Sequence, residues 1–156
     1  MLAEDVGELL RSKGLTISVA ESCTGGKVGD MLTNVSGSSD YFLGGVISYS
    51  NRAKIELLGV GEELLSFKGA VSDEVARQMA AGVRKSLHSG IGIGITGVAG
   101  PLGGTPDKPV GLVYIAVGSE RSTISEKNVF KGSRTRIKTQ SANRALEMVR
   151  EFLSGT

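Results

Sequence analysis

The sequence is poor in the residues on which many enzymes and nucleic-acid-binding proteins depend. Its 156 residues include no tryptophan, one cysteine and one histidine, and only 4% are aromatic. One cysteine excludes an internal disulfide framework and is typical of a reducing compartment. So few aromatic side chains argue against a stacking platform for single-stranded nucleic acid.

Charge and hydropathy give no sign of a membrane or of a polyanionic partner. Lysine and arginine number 18 against 16 acidic residues, so the formal net charge is only +2. No apolar run approaches the ~18 residues of a transmembrane helix, and the N-terminus lacks the pattern of a signal peptide. We therefore expect one cytoplasmic domain over residues 1–156, with no membrane contact, and we do not expect nucleic acid as a partner.

Alternating helical and strand patterns predict a layered α/β/α domain around a mixed sheet. Apolar residues recur at helical spacing in the first dozen residues, and later helices are predicted to begin near Gly26, Ser50, Glu62, Ser72 and Ser133. Strands are predicted at 15–20, 41–49, 91–95, 111–117 and 123–130. The last two form a hairpin, and Gly44-Gly45 indicates either a bulge in the second strand or a backbone pressed against a neighbour.

Three predicted loops follow the first three strands, beyond Ala20, Tyr49 and Thr96. We expect them to open at one end of the sheet. Strand carboxyl ends are where α/β proteins usually place ligands.

The stretch Val19-Ala20-Glu21-Ser22-Cys23-Thr24-Gly25-Gly26 leads from a buried strand through hydroxyl and thiol groups into a helix. At the opening turn of a helix, free N–H groups and the macrodipole favour an anion or a developing oxyanion. Two interpretations stay open at this point. The stretch is either a nucleophile or phosphate cradle, or a simple capped turn between strand and helix.

Metal and histidine chemistry find little support in the sequence. Metal hydrolysis needs clustered histidine, cysteine or carboxylate ligands, and no such spacing is present, so we expect no metal and no cofactor. His88 lies near the end of a predicted helix, where a capping or surface role is favoured over a Ser-His-Asp triad. A thiol pair of His88 with Cys23 has no positive support.

Without a usable histidine, a hydroxyl nucleophile needs a lysine kept neutral by burial and by neighbouring positive charge. Lys54 follows the hydroxyl and amide cluster at residues 49–51 and is placed to reach a pocket shared with Ser22. Lys27 competes, although its position early in a helix points it toward solvent. A solvated surface charge is the alternative for either lysine.

The glycines of residues 92–97 match G-x-G-x-x-G formally. The dinucleotide fingerprint requires such glycines at a turn that opens a helix, whereas here the first two lie inside an apolar strand and no helix follows. We reject a Rossmann site. The loop from Thr96 to Gly104 is expected to wrap closely round a ligand, or to be a flexible surface loop.

The segment 127–144 holds six basic residues and no acid, namely Lys127, Lys131, Arg134, Arg136, Lys138 and Arg144. Arg134 and Arg136 fall in the first turn of the last predicted helix, where cations oppose the helix dipole. A bound anion such as a phosphate would explain that placement. A solvated basic face and a nucleic-acid surface are the other two interpretations.

Five segments in order carry a family resemblance: Ala20-Glu21-Ser22-Cys23-Thr24-Gly25-Gly26, Tyr49-Ser50-Asn51 with Ala53-Lys54, Gly69-Ala70-Val71-Ser72, Thr96-Gly97-Val98-Ala99-Gly100-Pro101 with Gly103-Gly104, and Lys108-Pro109-Val110-Gly111. Together they resemble the C-terminal domain of the competence/damage-inducible protein CinA. Stand-alone members of that family act as nicotinamide-nucleotide amidohydrolases. The resemblance covers nearly the whole chain.

The resemblance implies metal-independent hydrolysis of the carboxamide of nicotinamide mononucleotide (NMN), which gives nicotinate mononucleotide and ammonia. By motif, Ser22 corresponds to the nucleophile, Lys54 to the general base and Tyr49 to the neighbouring hydroxyl. The resemblance also suggests a homodimer. Substrate contacts are expected from Thr24, Gly25, Gly26, Thr96, Gly97, Gly100 and Arg134, with N–H groups near Gly25 and Gly26 holding the oxyanion.

Two rival functions remain at this point. One is a CinA-like protein that binds the nucleotide but is catalytically silent, and the other is a nucleic-acid partner that uses the basic segment. Within the enzyme class, Cys23 is the alternative nucleophile.

Overall fold

A computed structural model describes residues 1–155; the predicted domain also includes Thr156, which lies outside the described residues. The helices are α1 Leu2–Lys13, α2 Lys27–Thr33, α3 Asn51–Leu58, α4 Glu62–Lys68, α5 Asp73–Leu87 and α6 Arg134–Ser154. The strands are β1 Ile17–Glu21, β2 Phe42–Ile47, β3 Ile91–Gly97, β4 Leu112–Gly118 and β5 Thr123–Val129. A 3-10 turn at Ser38–Asp40 precedes β2.

The five strands form one mixed sheet in the order β2-β1-β3-β4-β5. β1 pairs in parallel with β2 and β3, whereas β4 runs antiparallel to both β3 and β5. The carboxyl ends of the three parallel strands therefore meet at the same edge of the sheet. The expected hairpin of the last two strands is confirmed.

Helices cover both faces of the sheet, so the predicted α/β/α layering is confirmed. On one face α1, α2 and α6 pack over a core that includes Leu10, Ile93 and Val149. On the other face α5, flanked by α3 and α4, covers a second core around Met79 and Val83. The helical periodicity of the apolar residues produces these two buried surfaces because each helix turns one stripe toward the sheet.

Close packing of α5 explains the glycines of β3. A Cβ on Gly92 would overlap the carbonyl oxygen of Ala80, and one on Gly94 would overlap that of Ala76. The alternating isoleucines Ile91, Ile93 and Ile95 belong to the opposite core. The G-x-G-x-x-G pattern thus reflects helix–sheet contact rather than a phosphate loop.

The predicted bulge in β2 is also confirmed. The register between β1 and β2 shifts where Ile17 pairs with Phe42 and Ser18 with Gly44. Gly45 lies directly against Val19 of β1, where a Cβ would come within 2.6 Å of the Val19 carbonyl oxygen. Among residues 1–155, none of the helices has both the length and the apolar content needed to cross a bilayer.

Candidate active site

A cavity of about 310 Å³ opens at the carboxyl ends of β1, β2 and β3. The loops after these strands all contribute to it, as the sequence predicts. Its lining comprises Ser22, Cys23, Tyr49, Lys54, Ala70, Val71, Thr96, Gly97, Val98, Ala99, Gly100, Leu102, Gly103 and Arg134. The volume lies in the range of small-molecule sites.

Ser22 lies one residue beyond β1 and is held by the backbone of the sheet. Its N–H donates to the carbonyl oxygen of Ile95 at 3.1 Å, and the carbonyl of Glu21 accepts from the N–H of Ser48 at 2.8 Å. These bonds extend the strand pairing to the residue that enters the cavity. Ser22 is only 8% exposed, so its hydroxyl sits in a recess rather than on open surface.

Lys54 enters the cavity from the first turns of α3. The hydroxyl of Ser50 caps that helix by accepting from the N–H of Ala53 at 3.1 Å. Lys54 Nζ donates to Ser22 Oγ at 3.0 Å, to the Ser48 carbonyl oxygen at 2.7 Å and to the Tyr49 carbonyl oxygen at 3.3 Å. The amine and the hydroxyl are therefore at proton-transfer distance.

Burial favours the neutral form of Lys54. The residue is 1% exposed, and among residues 1–155 no carboxylate lies within ion-pair distance of its Nζ. Burial lowers the pKa of Lys54, opposed only by the nearby Cys23 side chain. Lys27, the competing lysine, does not line the cavity.

Cys23 lines the same cavity but is poorly suited to act as a nucleophile. Burial raises the pKa of its thiol to about 11; the hydrogen bond from its own backbone N–H and the charges of Lys54 and Lys138 oppose the rise, and the charge of Glu21 adds to it. The thiol is therefore protonated near neutral pH, and the thiolate is the reactive form.

Arg134 connects two walls of the cavity. Its Nη1 donates to the Gly100 carbonyl oxygen at 2.6 Å, and its Nη2 donates to the Tyr49 hydroxyl at 3.1 Å. The Tyr49 hydroxyl is thus held by Arg134, while Lys54 contacts only the carbonyl oxygen of Tyr49. The Thr96 hydroxyl donates to the Ala70 carbonyl oxygen at 2.8 Å and fixes the opposite wall.

The structure distinguishes the basic residues of the segment 127–144. Arg136 lines a separate exterior groove with Lys131, and Lys138 Nζ stands 3.6 Å from the position that a Cβ on Gly25 would take. Arg144 is bound by Glu126, Glu147 and Glu151, so the segment is not a uniform basic face. Only Arg134 of this group lines the cavity.

The expected substrate contacts of Thr24, Gly25 and Gly26 need a correction. The N–H of Gly26 donates to the Glu21 carboxylate at 3.2 Å, and the N–H of Gly25 donates to the Ser22 carbonyl oxygen at 3.2 Å. Neither glycine lines the cavity, and neither does Thr24. The Glu21 carboxylate occupies the N-terminal end of α2, where the sequence predicts an anion site.

A different donor near Ser22 is available instead. In the described part of the chain, neither the N–H of Cys23 nor that of Thr24 donates to another residue, and the Cys23 N–H interacts with that residue's own thiol. The Thr24 hydroxyl is also buried without a hydrogen-bond partner. These are the two N–H groups that directly follow Ser22, and of the two residues Cys23 lines the cavity while Thr24 does not.

His88 ends α5 in the left-handed conformation, with φ of 55°, and its N–H donates to the Arg84 carbonyl oxygen. The predicted capping role is confirmed. Over the described range 1–155, no three histidine, cysteine or acidic side chains cluster as metal ligands would.

The sequence matches the profile of the CinA C-terminal domain over residues 1–153. The chain belongs to the CinA C-terminal domain family. A CinA-like protein from Trichormus variabilis is 57% identical in an alignment of 155 positions that covers 97% of this chain and 37% of that protein. The chain thus spans about a third of the length of the curated relatives it matches.

Solved CinA structures share the fold over nearly their whole length. A competence/damage inducible protein, CihA, from Agrobacterium tumefaciens is 38% identical with a TM-score of 0.89, and each chain is 96% covered. A CinA superfamily protein from Klebsiella pneumoniae is 29% identical with a TM-score of 0.96, with 99% of this chain and 97% of that one covered.

Some features of this CinA-domain cavity escape prediction from sequence. Ser48 contributes only its carbonyl oxygen, which any residue would supply, so side-chain pattern gives no signal for it. Ala70 and Val71 stand in a segment that carries the family resemblance, and that segment is the one signal that points to them.

Proposed function

We propose that the chain hydrolyses the carboxamide of NMN to nicotinate mononucleotide and ammonia. The observation that supports this most is the 3.0 Å contact between Lys54 Nζ and Ser22 Oγ in a buried site without a carboxylate partner for the lysine among residues 1–155. A buried neutral lysine is a general base that activates a serine without histidine or metal.

In the first half of the reaction, neutral Lys54 keeps its two N–H bonds for the Ser48 and Tyr49 carbonyl oxygens, and its lone pair takes the proton of Ser22 as Oγ attacks the amide carbon. The carbonyl oxygen becomes an oxyanion, which accepts a hydrogen bond from the N–H group of Cys23, the residue after Ser22 that lines the cavity. Donors of this kind contribute about 3 kcal/mol each to the transition state. Protonated Lys54 then gives its proton to the amide nitrogen, the C–N bond breaks, and ammonia leaves an acyl ester on Ser22.

In the second half, Lys54 takes a proton from water, and the resulting hydroxide attacks the ester carbon. The bond to Ser22 Oγ breaks, and Lys54 returns the proton to Oγ. Nicotinate mononucleotide leaves with the carboxylate that the water created. No external oxidant, reductant or metal takes part in these steps, because each is a proton transfer or an acyl transfer.

Arg134 is the residue proposed for the phosphate of the nucleotide. Its guanidinium lies at the wall of the cavity, is held by Gly100 and Tyr49, and has no carboxylate partner within residues 1–155. Guanidinium groups bind phosphate through paired charge-assisted hydrogen bonds. The loop from Thr96 onward would then enclose the ribose and ring.

The proposal is tested by incubating the protein with NMN in the presence of a chelator. We expect ammonia and nicotinate mononucleotide in equal amounts by enzymatic ammonia assay and chromatography. Nicotinamide, its riboside and the dinucleotide serve as parallel substrates. Saturable binding of NMN with no product from any substrate would instead identify a catalytically silent nucleotide-binding protein.

Replacing Arg134 with alanine is expected to raise KM for NMN about 10- to 100-fold, since a hydrogen bond to a charged group contributes about 1.5–3 kcal/mol. Steady-state kinetics on NMN and on the riboside measure the effect, which should be small on the riboside because it lacks the phosphate. Arg136→Ala is the matched control, since Arg136 occupies the same helical turn but faces a different groove. Equal effects of the two substitutions would contradict the assignment.

A further inference from the structure

Glu21 is a buried carboxylate that the reaction described above does not use. It is the last residue of β1, precedes Ser22 and is 1% exposed. Its Oε1 accepts from the N–H groups of Gly26 and Val28 at 3.2 and 3.0 Å, and its Oε2 accepts from the N–H of Gly29 at 3.0 Å. The side chain thus reaches back over the turn that carries Ser22 and binds the first residues of α2.

These three hydrogen bonds fix the helix end of the turn 22–26, whereas the sheet fixes its strand end. On the strand side, the N–H of Ser22 is bound by Ile95. On the helix side, Gly25 and Gly26 have φ of 61° and 108°, values that glycine adopts freely and that leave the turn mobile unless something else constrains it. No side chain caps the N-terminus of α2 locally, so Glu21 satisfies N–H groups that would otherwise be orphaned.

We propose that Glu21 is a positioning residue that locks the turn 22–26, so that Ser22 Oγ faces Lys54 and the N–H group of Cys23 stays next to Ser22 at the cavity. The inference rests on the proposed role of Ser22 as nucleophile. It assigns the carboxylate no contact with the substrate, since Glu21 does not line the cavity. Its effect passes through the amides of α2 and the geometry of the turn.

The test uses the full chain with Glu21→Gln, which keeps the length of the side chain but replaces one acceptor oxygen with a donor. Three quantities are measured: hydrogen exchange at Gly26, Val28 and Gly29, the rate at which a fluorophosphonate probe labels Ser22, and the Kd for NMN. We expect faster exchange at these amides, labelling at least about tenfold slower because displacement of a reacting group by 1 Å costs up to 10²-fold, and Kd within about twofold of wild type.

Asp30→Asn is the matched control. Asp30 lies in the first turn of α2, is exposed, and forms no ion pair within residues 1–155. The Asp30→Asn substitution removes a side-chain charge from α2 without changing a side chain of the turn 22–26. The rate of Ser22 labelling and the amide exchange should therefore stay as in wild type. Glu21→Asp keeps the charge but is one methylene shorter, so the rate of Ser22 labelling should fall between those of wild type and Glu21→Gln. Glu21→Asp also serves as the test if Glu21→Gln does not fold.

Faster amide exchange with a wild-type labelling rate, in either Glu21 variant, would overturn the inference, because the carboxylate would then stabilise α2 without positioning Ser22. A wild-type protein that is labelled at Ser22 yet releases no ammonia from NMN contradicts the proposed function and leaves the inference about Glu21 standing. Absence of labelling at Ser22 in the wild-type protein would overturn both.

Discussion

Replacing Ser22 with alanine is expected to lower kcat for ammonia release from NMN by at least about 10⁴-fold, as removal of a nucleophile does in serine hydrolases. No other hydroxyl contacts Lys54 Nζ in the described part of the chain, so no neighbour can take over. The nucleotide should still bind with a Kd near that of wild type, because Arg134 and the Thr96 loop are unchanged. Steady-state assays and calorimetry together measure this separation of turnover from binding.

Cys23→Ala is the matched control for Ser22→Ala. The two residues are adjacent and line the same cavity, but the thiol is protonated near neutral pH because burial raises its pKa to about 11. We expect kcat within about twofold of wild type. Loss of activity in the cysteine variant with retention in the serine variant would make Cys23 the nucleophile and reverse the assignment.

Much of the fold is predictable from local pattern alone. The apolar, β-branched runs mark the strands, serines mark the starts of α3, α5 and α6, and Gly14 and Gly59 mark two helix ends in the left-handed conformation. Because the first three strands are parallel, these local predictions already bring the loops after Ala20, Tyr49 and Thr96 to one edge of the sheet. The general place of the cavity follows from that.

The partners inside the cavity depend on tertiary contacts that no spacing encodes. Lys54 is held by two backbone carbonyls, and the hydroxyl of Tyr49 turns to Arg134, 85 residues away, rather than to the lysine. Glu21 is a further example. The residues next to Glu21 along the chain predict only the end of a strand. In the fold, the N–H groups at the start of α2 bind the Glu21 carboxylate, which occupies the expected anion site.

Replacing Lys54 with methionine is expected to lower kcat by about 10²- to 10⁴-fold, the usual contribution of a general base. Methionine has a similar length and fills the buried space without an amine, so the loss would come from proton transfer rather than from an open cavity. Lys27→Met is the matched control, since Lys27 lies near Ser22 along the chain but does not line the cavity, and its activity should equal that of wild type.

The pH dependence follows from the direction in which burial moves the pKa of Lys54. Because that pKa is below its usual value of 10.5 in the folded state, the neutral amine forms at lower pH than in a free lysine. The wild-type kcat/KM should therefore rise about tenfold per pH unit in the acidic range and level off below pH 10.5. The residual activity of Lys54→Met should lack this rise.

Stability should change with pH in the same direction. A lysine whose pKa is lower in the folded than in the unfolded state binds more protons when unfolded, so between the two values the free energy of unfolding increases with pH. Lys54→Met lacks this contribution. The wild-type protein should therefore gain stability relative to Lys54→Met as the pH is raised from 7 toward 10.5, measured by urea unfolding at each pH. A constant difference across that range would mean that the amine titrates as a free lysine does, and the activation of Ser22 by neutral Lys54 would then have no basis.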